Sequence, residues 1–504
     1  MRALRFTAAV LALVALPACS LLGLDKFQQQ RCTRDDQCSS LEAISPTGDA
    51  CRTWQCNNPT DGDGICEART RDDDGDNAPP MMCAGAAAAD CDDMDPARSP
   101  MVLEACNMVD DDCDGVVDPS FAAMSSTNAM LGASAGRVTF SRGYTGGEVS
   151  VVRVPPRGTA DPLQLGMIQP GSTSALVITP AMTDDSESGA GAHATLGDDG
   201  TLVVYDPVAA AEDCGGDATR PIQARWLRSN GTVAATSCLD QTRLAAATLT
   251  PEPEGDVLLV WVDDAGTREC GSAPDAPVRA RVLRTIGGAT PRVDSGPVVE
   301  LGSTTDALGP SVTFVEGQGW VIAHVGSAGQ IVVNRLAVTA AIADYDQDAV
   351  AMISSIATTS AAEVTVSVGD AGSVAVAYTT GGCAATNAVE VRTAEISGSS
   401  VTFGAAIAVT EEANRNRRAP VATYHPVRDE WVVFYREVDD EQALRLTATG
   451  TAVGAPVALG IGTVAGRPYV EAISPSGGTP SWGFVAVTTG GEVRSGTLAC
   501  VSPT

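Results

Sequence analysis

Lysine is almost missing from these 504 residues: Lys26 stands alone, histidine occurs three times, and aromatic residues make up only 4%. Basic residues number 32 against 62 acidic ones, a formal net charge of −30. A chain so short of positive charge is repelled by phosphate backbones and anionic lipid headgroups, so nucleic-acid binding and polybasic membrane docking are excluded as working hypotheses. Long apolar runs are missing too. No stretch reaches 18 unbroken apolar residues, whereas a spanning helix needs about 20. There is no phosphate-cradling Walker loop and no zincin pair. His193, His324 and His425 lie in or beside strand-like segments with no companion nucleophile, and they read as surface or packing residues. What is abundant is apolar material, 44% of the chain, with 51 glycines, which is enough for a large core. With this charge balance, metal cations are the favoured partner.

Residues 1–18 read as an export signal: Arg2 and Arg5, the apolar run Phe6 to Leu16, then small residues before Cys19. Leu16-Pro17-Ala18-Cys19 resembles the lipobox of bacterial lipoproteins, although Pro17 departs from the usual small or branched residue. The resemblance implies lipidation of Cys19 and, with Ser20 following it, anchoring at the outer membrane or cell surface. A tether over 19–31 would follow. Removing Cys19 leaves fourteen of the fifteen cysteines, an even number that suits a disulfide framework in an oxidising compartment. Nine are Cys32, Cys38, Cys51, Cys56, Cys66, Cys83, Cys91, Cys106 and Cys113; the remainder holds Cys214, Cys238, Cys270, Cys383 and Cys500. Both sets are odd, so full pairing requires at least one bridge between them. Spacing does not assign the partners, though Cys214 with Cys238 is a sensible local pair. Zinc is disfavoured, because the spacings miss the usual ligand patterns and export oxidises such thiols.

Residues 32–120 form a Cys-rich acidic region. Its few large apolar residues cannot build a core, so crosslinks and ions must supply the order. Between residues 31 and 120 there are 21 Asp and Glu and 6 Arg, half of the chain's net charge. In the run Asp110 to Asp118, carboxylates recur at positions 1, 3, 5 and 9 (Asp110, Asp112, Asp114, Asp118), with Gly115 at position 6. This is the beginning of an EF-hand-type calcium loop. The carbonyl of Val116 would be the backbone ligand. Phe121 stands where a true EF-hand has its bidentate Glu, so further ligands are expected from Glu104, Asp92 or Asp93. Upstream, Asp72-Asp73-Asp74-Gly75-Asp76 and Asp90-Cys91-Asp92-Asp93 repeat the close spacing of oxygen donors. Hard oxygen ligands without histidine favour Ca2+ over zinc or copper.

Taken in order, Asp72-x-Asp74-Gly75-Asp76, Cys83, Asp90-Cys91-Asp92-Asp93, Pro100, Glu104-Ala105-Cys106-Asn107 and Asp110 to Asp118 resemble the MopE-type metal-binding motif of secreted and surface proteins in myxobacteria and related bacteria. The resemblance covers about 72–119 and supports a metal-ligand role for Asp72, Asp74, Asp76, Asp90, Asp92, Asp93 and Glu104. It departs at Met101-Val102, Asp111 and Pro119. The family's name refers to copper, but the segment has no histidine.

Beyond a small-residue linker at 121–135, charge falls and short β-branched runs alternate with turns. Seven segments share one plan: an alternating strand, a polar turn, then an apolar strand. The second strands begin at 149, 202, 257, 320, 374, 431 and 482, spaced by 51 to 63 residues. A period near 50, with a further strand pair per unit, describes an all-β domain over 136–504, a seven-bladed β-propeller. Tandem β-sandwiches are the runner-up. Trp261, Trp320, Trp431 and Trp482 fall where an aromatic packs between neighbouring sheets. The function expected from the sequence is a cell-envelope lipoprotein in which a calcium-binding segment presents a propeller for binding protein or polysaccharide. The alternative is an exported propeller hydrolase or lyase acting on glycans, with Asp198-Asp199, Asp263-Asp264 and Asp439-Asp440 as its weak candidate carboxylates. No catalytic residue declares itself.

Overall fold

The computed structural model describes residues 31–39, 41, 50–57, 64–83, 89–100, 102, 109–113, 115, 121–130, 137–142, 148–154, 163–171, 178–180, 188–196, 200–207, 222–240, 244–253, 255–263, 275–305, 308–358, 361–381, 387–396, 401–409, 417–438, 440–473 and 480–500. Among these no helix is long and apolar enough to cross a membrane. The expected signal over 1–18, Cys19 and most of the tether lie outside the described residues, as do Asp114, Val116, Asp118, Glu104, Cys106, Cys214, Cys270 and Cys383.

The chain divides into two compact units, Met1–Pro119 with Ser502–Thr504, and Ser120–Val501. The first is held by crosslinks. Cys32–Cys56, Cys38–Cys66, Cys51–Cys83 and Cys91–Cys113 are disulfides. A three-stranded sheet of Arg31–Cys32, Gly64–Thr70 and Arg52–Asn57 supplies the frame. Its small core is Cys32, Cys38, Leu41, Cys56 and Cys66, with Trp54 packed against them. Sulfur replaces the aliphatic side chains that this region lacks. Eight of the nine cysteines expected in the framework are thus paired locally; Cys238 and Cys500 are also disulfide-bonded.

The second unit is all β. Its described strands fall into seven antiparallel sheets, each built from strands consecutive in the chain except for one strand. The innermost strands are Arg137–Arg142, Ser188–Thr195, Leu244–Pro251, Ser311–Val315, Val364–Val368, Arg417–His425 and Tyr469–Ile473. Each pairs with the apolar second strand expected from the sequence, for example Val257–Trp261 against Ala247–Pro251. The exception is Phe121–Met130, which joins the seventh sheet by pairing with Glu492–Cys500. Residues 121–130 were expected in a linker and are a strand instead. Phe121 does not close a calcium loop; it pairs with Cys500.

Each sheet packs on the next, and the seventh packs on the first. Val203 and Tyr205 of the second sheet meet Val152 and Val154 of the first. Further around, Trp261 faces the second sheet, Trp320 the third, Trp431 the fifth and Trp482 the sixth. Val485 and Val493 of the seventh sheet close against Val149 and Val151 of the first. A sheet covered on both faces favours apolar residues along the whole of its central strands. That is why Asp256–Asp263 and Gly319–Val325 are buried almost without interruption. Tight turns lead into these strands: Gly200 (φ 112°) and Gly319 (φ 98°) have left-handed backbones, and a Cβ there would collide with the carbonyls of Leu227 and Leu336.

Candidate functional site

In the first unit, the loop that begins at Asp72 folds on its own carboxylates. Asp72 Oδ1 accepts from Gly75 N at 2.7 Å and Oδ2 from Asn77 N at 2.9 Å. Asp74 Oδ1 accepts from Asp76 N at 3.2 Å, and Asp76 Oδ1 from Ala78 N at 2.7 Å. Each of the last two carboxylates therefore turns its second oxygen inward, and Asp74 Oδ2 and Asp76 Oδ2 are buried without a hydrogen-bond partner. Ligand atoms of Asp72, Asp74 and Asp76 all lie within 4.8 Å of one another.

Asp90 interacts electrostatically with this loop. Its segment is tied to the loop by a parallel bridge to Pro80 and by Asp90 N donating to Pro79 O at 3.0 Å. Asp90 is 2% exposed; Oδ1 accepts from Asp92 N at 2.8 Å, and Oδ2 is a third buried oxygen without a partner. Burial pushes the Asp90 carboxyl up, and the charges of Asp76, Asp93 and Asp92 add to this. Asp74 is likewise raised, first by burial and then by Asp76, Asp90 and Asp72. Carboxylates that repel one another while each keeps one buried oxygen without a donor are an environment that a cation relieves. The donor set is oxygen throughout. The residues present fit a hard divalent ion.

Over its described residues, the loop from Asp110 repeats two features of the Asp72 loop. Asp110 Oδ2 accepts from Gly115 N at 2.9 Å, the counterpart of Asp72 Oδ2 with Asn77 N. Positions 4 and 6 are left-handed in both loops, Gly75 (87°) and Asn77 (76°) in one, Cys113 (58°) and Gly115 (88°) in the other. Sequence reasoning missed this equivalence because it sought glycine at position 6; asparagine also tolerates that conformation. Of the other expected ligands, Asp93 Oδ1 accepts from Asp73 N at 3.1 Å, while Asp92 is held by Arg98 at 2.7 Å. Both orient the segment around Asp90. Two groupings that contain cysteine, Cys32 with Cys38 and Cys66, and Asp90 with Cys91 and Cys113, offer no thiolate, since every one of those sulfurs is in a disulfide.

The second unit holds a cavity of about 1240 Å3 at the innermost strands, lined from all seven sheets. Its polar wall is largely occupied with itself. Thr139 Oγ1 and His193 Nδ1 share a hydrogen bond of 2.7 Å, Thr250 Oγ1 donates to Val312 O at 3.4 Å, and Ser311 Oγ accepts from Val366 N at 3.1 Å. The histidines belong to this wall or to the sheets behind it and are buried, not at the surface: His193 is 2%, His324 1% and His425 0% exposed. Burial lowers all three, His193 to about 3. The carboxylates that could be weighed for catalysis are structural. Asp263 accepts from Trp261 Nε1 at 3.0 Å and lies 3.3 Å from Arg279; Asp440 accepts from the amides of Gly460, Ile461 and Gly462. Asp198, Asp199, Asp264 and Asp439 lie outside the described residues. No Asp or Glu occurs among the described residues that line the cavity.

Residues 90–119 match the family model Cu-binding_MopE, described as "Putative metal-binding motif". No curated protein sequence matches the chain. Among solved structures, a Lactobacillus plantarum protein is similar at 10% identity, covering 68% of this chain and 88% of its own, with a TM-score of 0.43. AofleA from Arthrobotrys oligospora gives 9%, 80%, 94% and 0.40. The Aleuria aurantia lectin, described as a six-bladed β-propeller with a fucose recognition mode, gives 11%, 67%, 96% and 0.34. At these scores the likenesses fix neither the number of sheets in the ring nor a ligand.

Proposed function

We propose that this chain is an exported bacterial lipoprotein, anchored through Cys19 at the outer membrane or cell surface. In this reading a calcium-binding aspartate segment precedes a seven-bladed β-propeller that binds protein or polysaccharide. The observation that carries the calcium reading is that Asp74 Oδ2, Asp76 Oδ2 and Asp90 Oδ2 are buried carboxylate oxygens without hydrogen-bond partners, on groups that repel one another. Asp72, Asp74, Asp76 and Asp90 would hold the first ion; Asp110 and Asp112, with Asp114, Val116 and Asp118, would serve a second. A bound calcium neutralises the loops and contributes directly to the folding of a region with almost no hydrophobic core. The seven-bladed reading is supported by the seven sheets and the packing of the last on the first. Export is supported by four disulfides, which persist outside reducing compartments.

Calorimetric titration of the full mature chain with calcium is the direct test. Binding in the weak extracellular range, about 10⁻⁴ to 10⁻³ M, is expected, and Asp90→Asn should weaken it at least tenfold. No heat at millimolar calcium would reject the metal reading. Globomycin should accumulate the uncleaved precursor, and Cys19→Ser should abolish lipid labelling; unchanged processing would reject the anchor.

A further inference from the structure

The cavity of the second unit has a floor and a mouth. Neighbouring innermost strands run in the same direction: Thr365 and Ser367 reach the carbonyls of Pro420 and Ala422 in the same order. At the entry ends of the strands, Arg467 Nη2 donates to the carbonyls of Gly309 at 3.1 Å and Val364 at 2.9 Å, so one side chain of the seventh sheet spans to the fourth and fifth. The cavity-lining segment 464–468 is pinned there, with Ala465 N donating to Val487 O at 2.7 Å and Thr489 N to Thr463 O at 2.9 Å. Arg467 and this segment thus bridge the entry ends of the strands. At the opposite ends of their strands, Arg142 and Val368 line the cavity and are exposed.

The polarity of the lining selects the occupant. The chain carries almost two acidic residues for each basic one, yet the described lining residues include Arg142 and Arg467 and no carboxylate. Arg467 is engaged by the floor. The Arg142 guanidinium makes no hydrogen bond to a described residue; Glu471, whose Oε2 accepts from Tyr469 OH at 3.1 Å and whose Oε1 is buried, acts on it only electrostatically. Thr248, Thr313 and Thr423, from the third, fourth and sixth sheets, also line the cavity, are half-buried, and have hydroxyls without a described partner. A guanidinium and three hydroxyls free to donate form a cavity rich in donors and poor in negative charge, the complement of an anionic, hydroxyl-bearing ligand. Phe140 and Tyr469, half-buried in the same wall, offer aromatic surface to apolar ring faces. The volume exceeds the 300–1,000 Å3 or so of a small-molecule pocket, which suits the end of an oligomer.

We propose that this well binds the end of an acidic glycan, a chain of hydroxylated rings carrying carboxylates, with Arg142 taking a carboxylate and Thr248, Thr313 and Thr423 the ring hydroxyls. The proposal rests on the reading of the second unit as a binding domain and names the class of its ligand.

The full mature chain is titrated with trigalacturonate, neutral galactotriose and triglutamate at low and physiological salt. Trigalacturonate should bind, galactotriose at least tenfold more weakly, and Arg142→Gln should reduce trigalacturonate affinity at least tenfold without lowering the melting temperature. Equal binding of the acidic and neutral sugars, or an Arg142→Gln variant with full affinity, overturns the acidic-end assignment while leaving a glycan-binding domain intact. Tighter binding of triglutamate overturns it in favour of an acidic peptide. If none of the three binds at millimolar concentration, the proposal falls, and the binding-domain reading loses its support with it.

Discussion

Thr365 Oγ1 donates to the carbonyl of Pro420 at 2.8 Å, across the boundary between the fifth and sixth sheets. The bond is one of a series, since Ser367 reaches Ala422, Thr250 reaches Val312, and Ser141 accepts from Thr195 N. Strand register explains why. Ser141, His193, Thr250, Thr313, Ser367 and Thr423 occupy equivalent places, each opposite the second residue of its neighbouring apolar run, at Ser150, Val203, Leu258, Val321, Ala375 and Val432. At Ser141, Thr250 and Ser367 a short side chain joins one sheet to the backbone of the next. In the seventh sheet the place is taken by Glu471, opposite Gly483, and among the described residues no hydroxyl at this place joins that sheet to the first.

Removing one fastener should therefore cost stability without changing the fold. Thr365 is 4% exposed, so Thr365→Val keeps its volume and removes the donor from a buried carbonyl. The expected loss is about 1–3 kcal/mol, read as a melting temperature lower by a few degrees. An unchanged transition would mean that Pro420 O is satisfied without Thr365.

Much of this ring was legible in the sequence because burial on both faces of a sheet leaves an unmistakable trace: the run Val257 to Val262 has no polar residue to read as a solvent face. The strand Phe121–Met130 was not legible. Its sequence, Phe-Ala-Ala-Met-Ser-Ser-Thr-Asn-Ala-Met, has little β-branched content, and its partner Glu492–Cys500 lies at the other end of the unit, beyond the reach of any local pattern. In the acidic segment, the aspartates were found by spacing, but the pairing of Asp90 with the Asp72 loop depends on the bridge between Pro80 and Asp90, a tertiary fact. Asn77 was passed over for a chemical reason, its ability to stand in for glycine at positive φ.

The strand that escaped detection is fastened at Phe121. The guanidinium carbon of Arg445 lies 3.9 Å from the centre of that ring and that of Arg428 lies 4.8 Å from it, while Glu430 neutralises both, with Arg445 Nη2 at 2.6 Å and Arg428 Nε at 3.2 Å. Phe121→Ala would remove the aromatic face from two cations and open the contact with Trp482, 5.9 Å away. A loss of about 3 kcal/mol is expected, together with faster proteolysis within 121–130. Wild-type protease resistance would show that the strand is held by its ladder alone.

Glu441 gives the second unit a pH dependence of unusual sign. Burial pushes its carboxyl up to about 8, against the pull of Arg436, whose Nε lies 3.6 Å away, and Asp440 and Glu363 add repulsion. Neither oxygen has a hydrogen-bond partner. Because the folded value exceeds the unfolded one, near 4.5, the folded state holds the proton more tightly. The resulting stability is complete below about pH 4.5 and is lost as the pH rises through about 8. Glu441→Gln should therefore be close to wild type at pH 5 and more stable than wild type at pH 9, by a few kcal/mol in denaturant titrations. Identical differences at both pH values would show that the carboxyl is already ionised at pH 5.

The two acidic loops are joined by sulfur. Cys91 lies between Asp90 and Asp92, and its partner Cys113 occupies position 4 of the Asp110 loop, with Cys91 N donating to Cys113 Sγ at 3.1 Å. The bridge thus fixes the segment that carries Asp90 to a residue whose left-handed backbone shapes the second loop. Opening it would free the chain between two residues 22 apart in sequence, and ordering the ligands would then have to overcome chain entropy of about 3 kcal/mol on the loop-closure model. Calcium affinity should consequently fall by tenfold or more in the Cys91→Ser/Cys113→Ser double variant. Linkage is reciprocal, so saturating calcium should protect this bridge from a dithiol reductant by the same factor, as thiol alkylation and peptide mapping would show. Equal affinities in the bridged and unbridged proteins would mean that the Asp72 loop and Asp90 assemble through the Pro80 bridge alone, and that the disulfide serves only the fold.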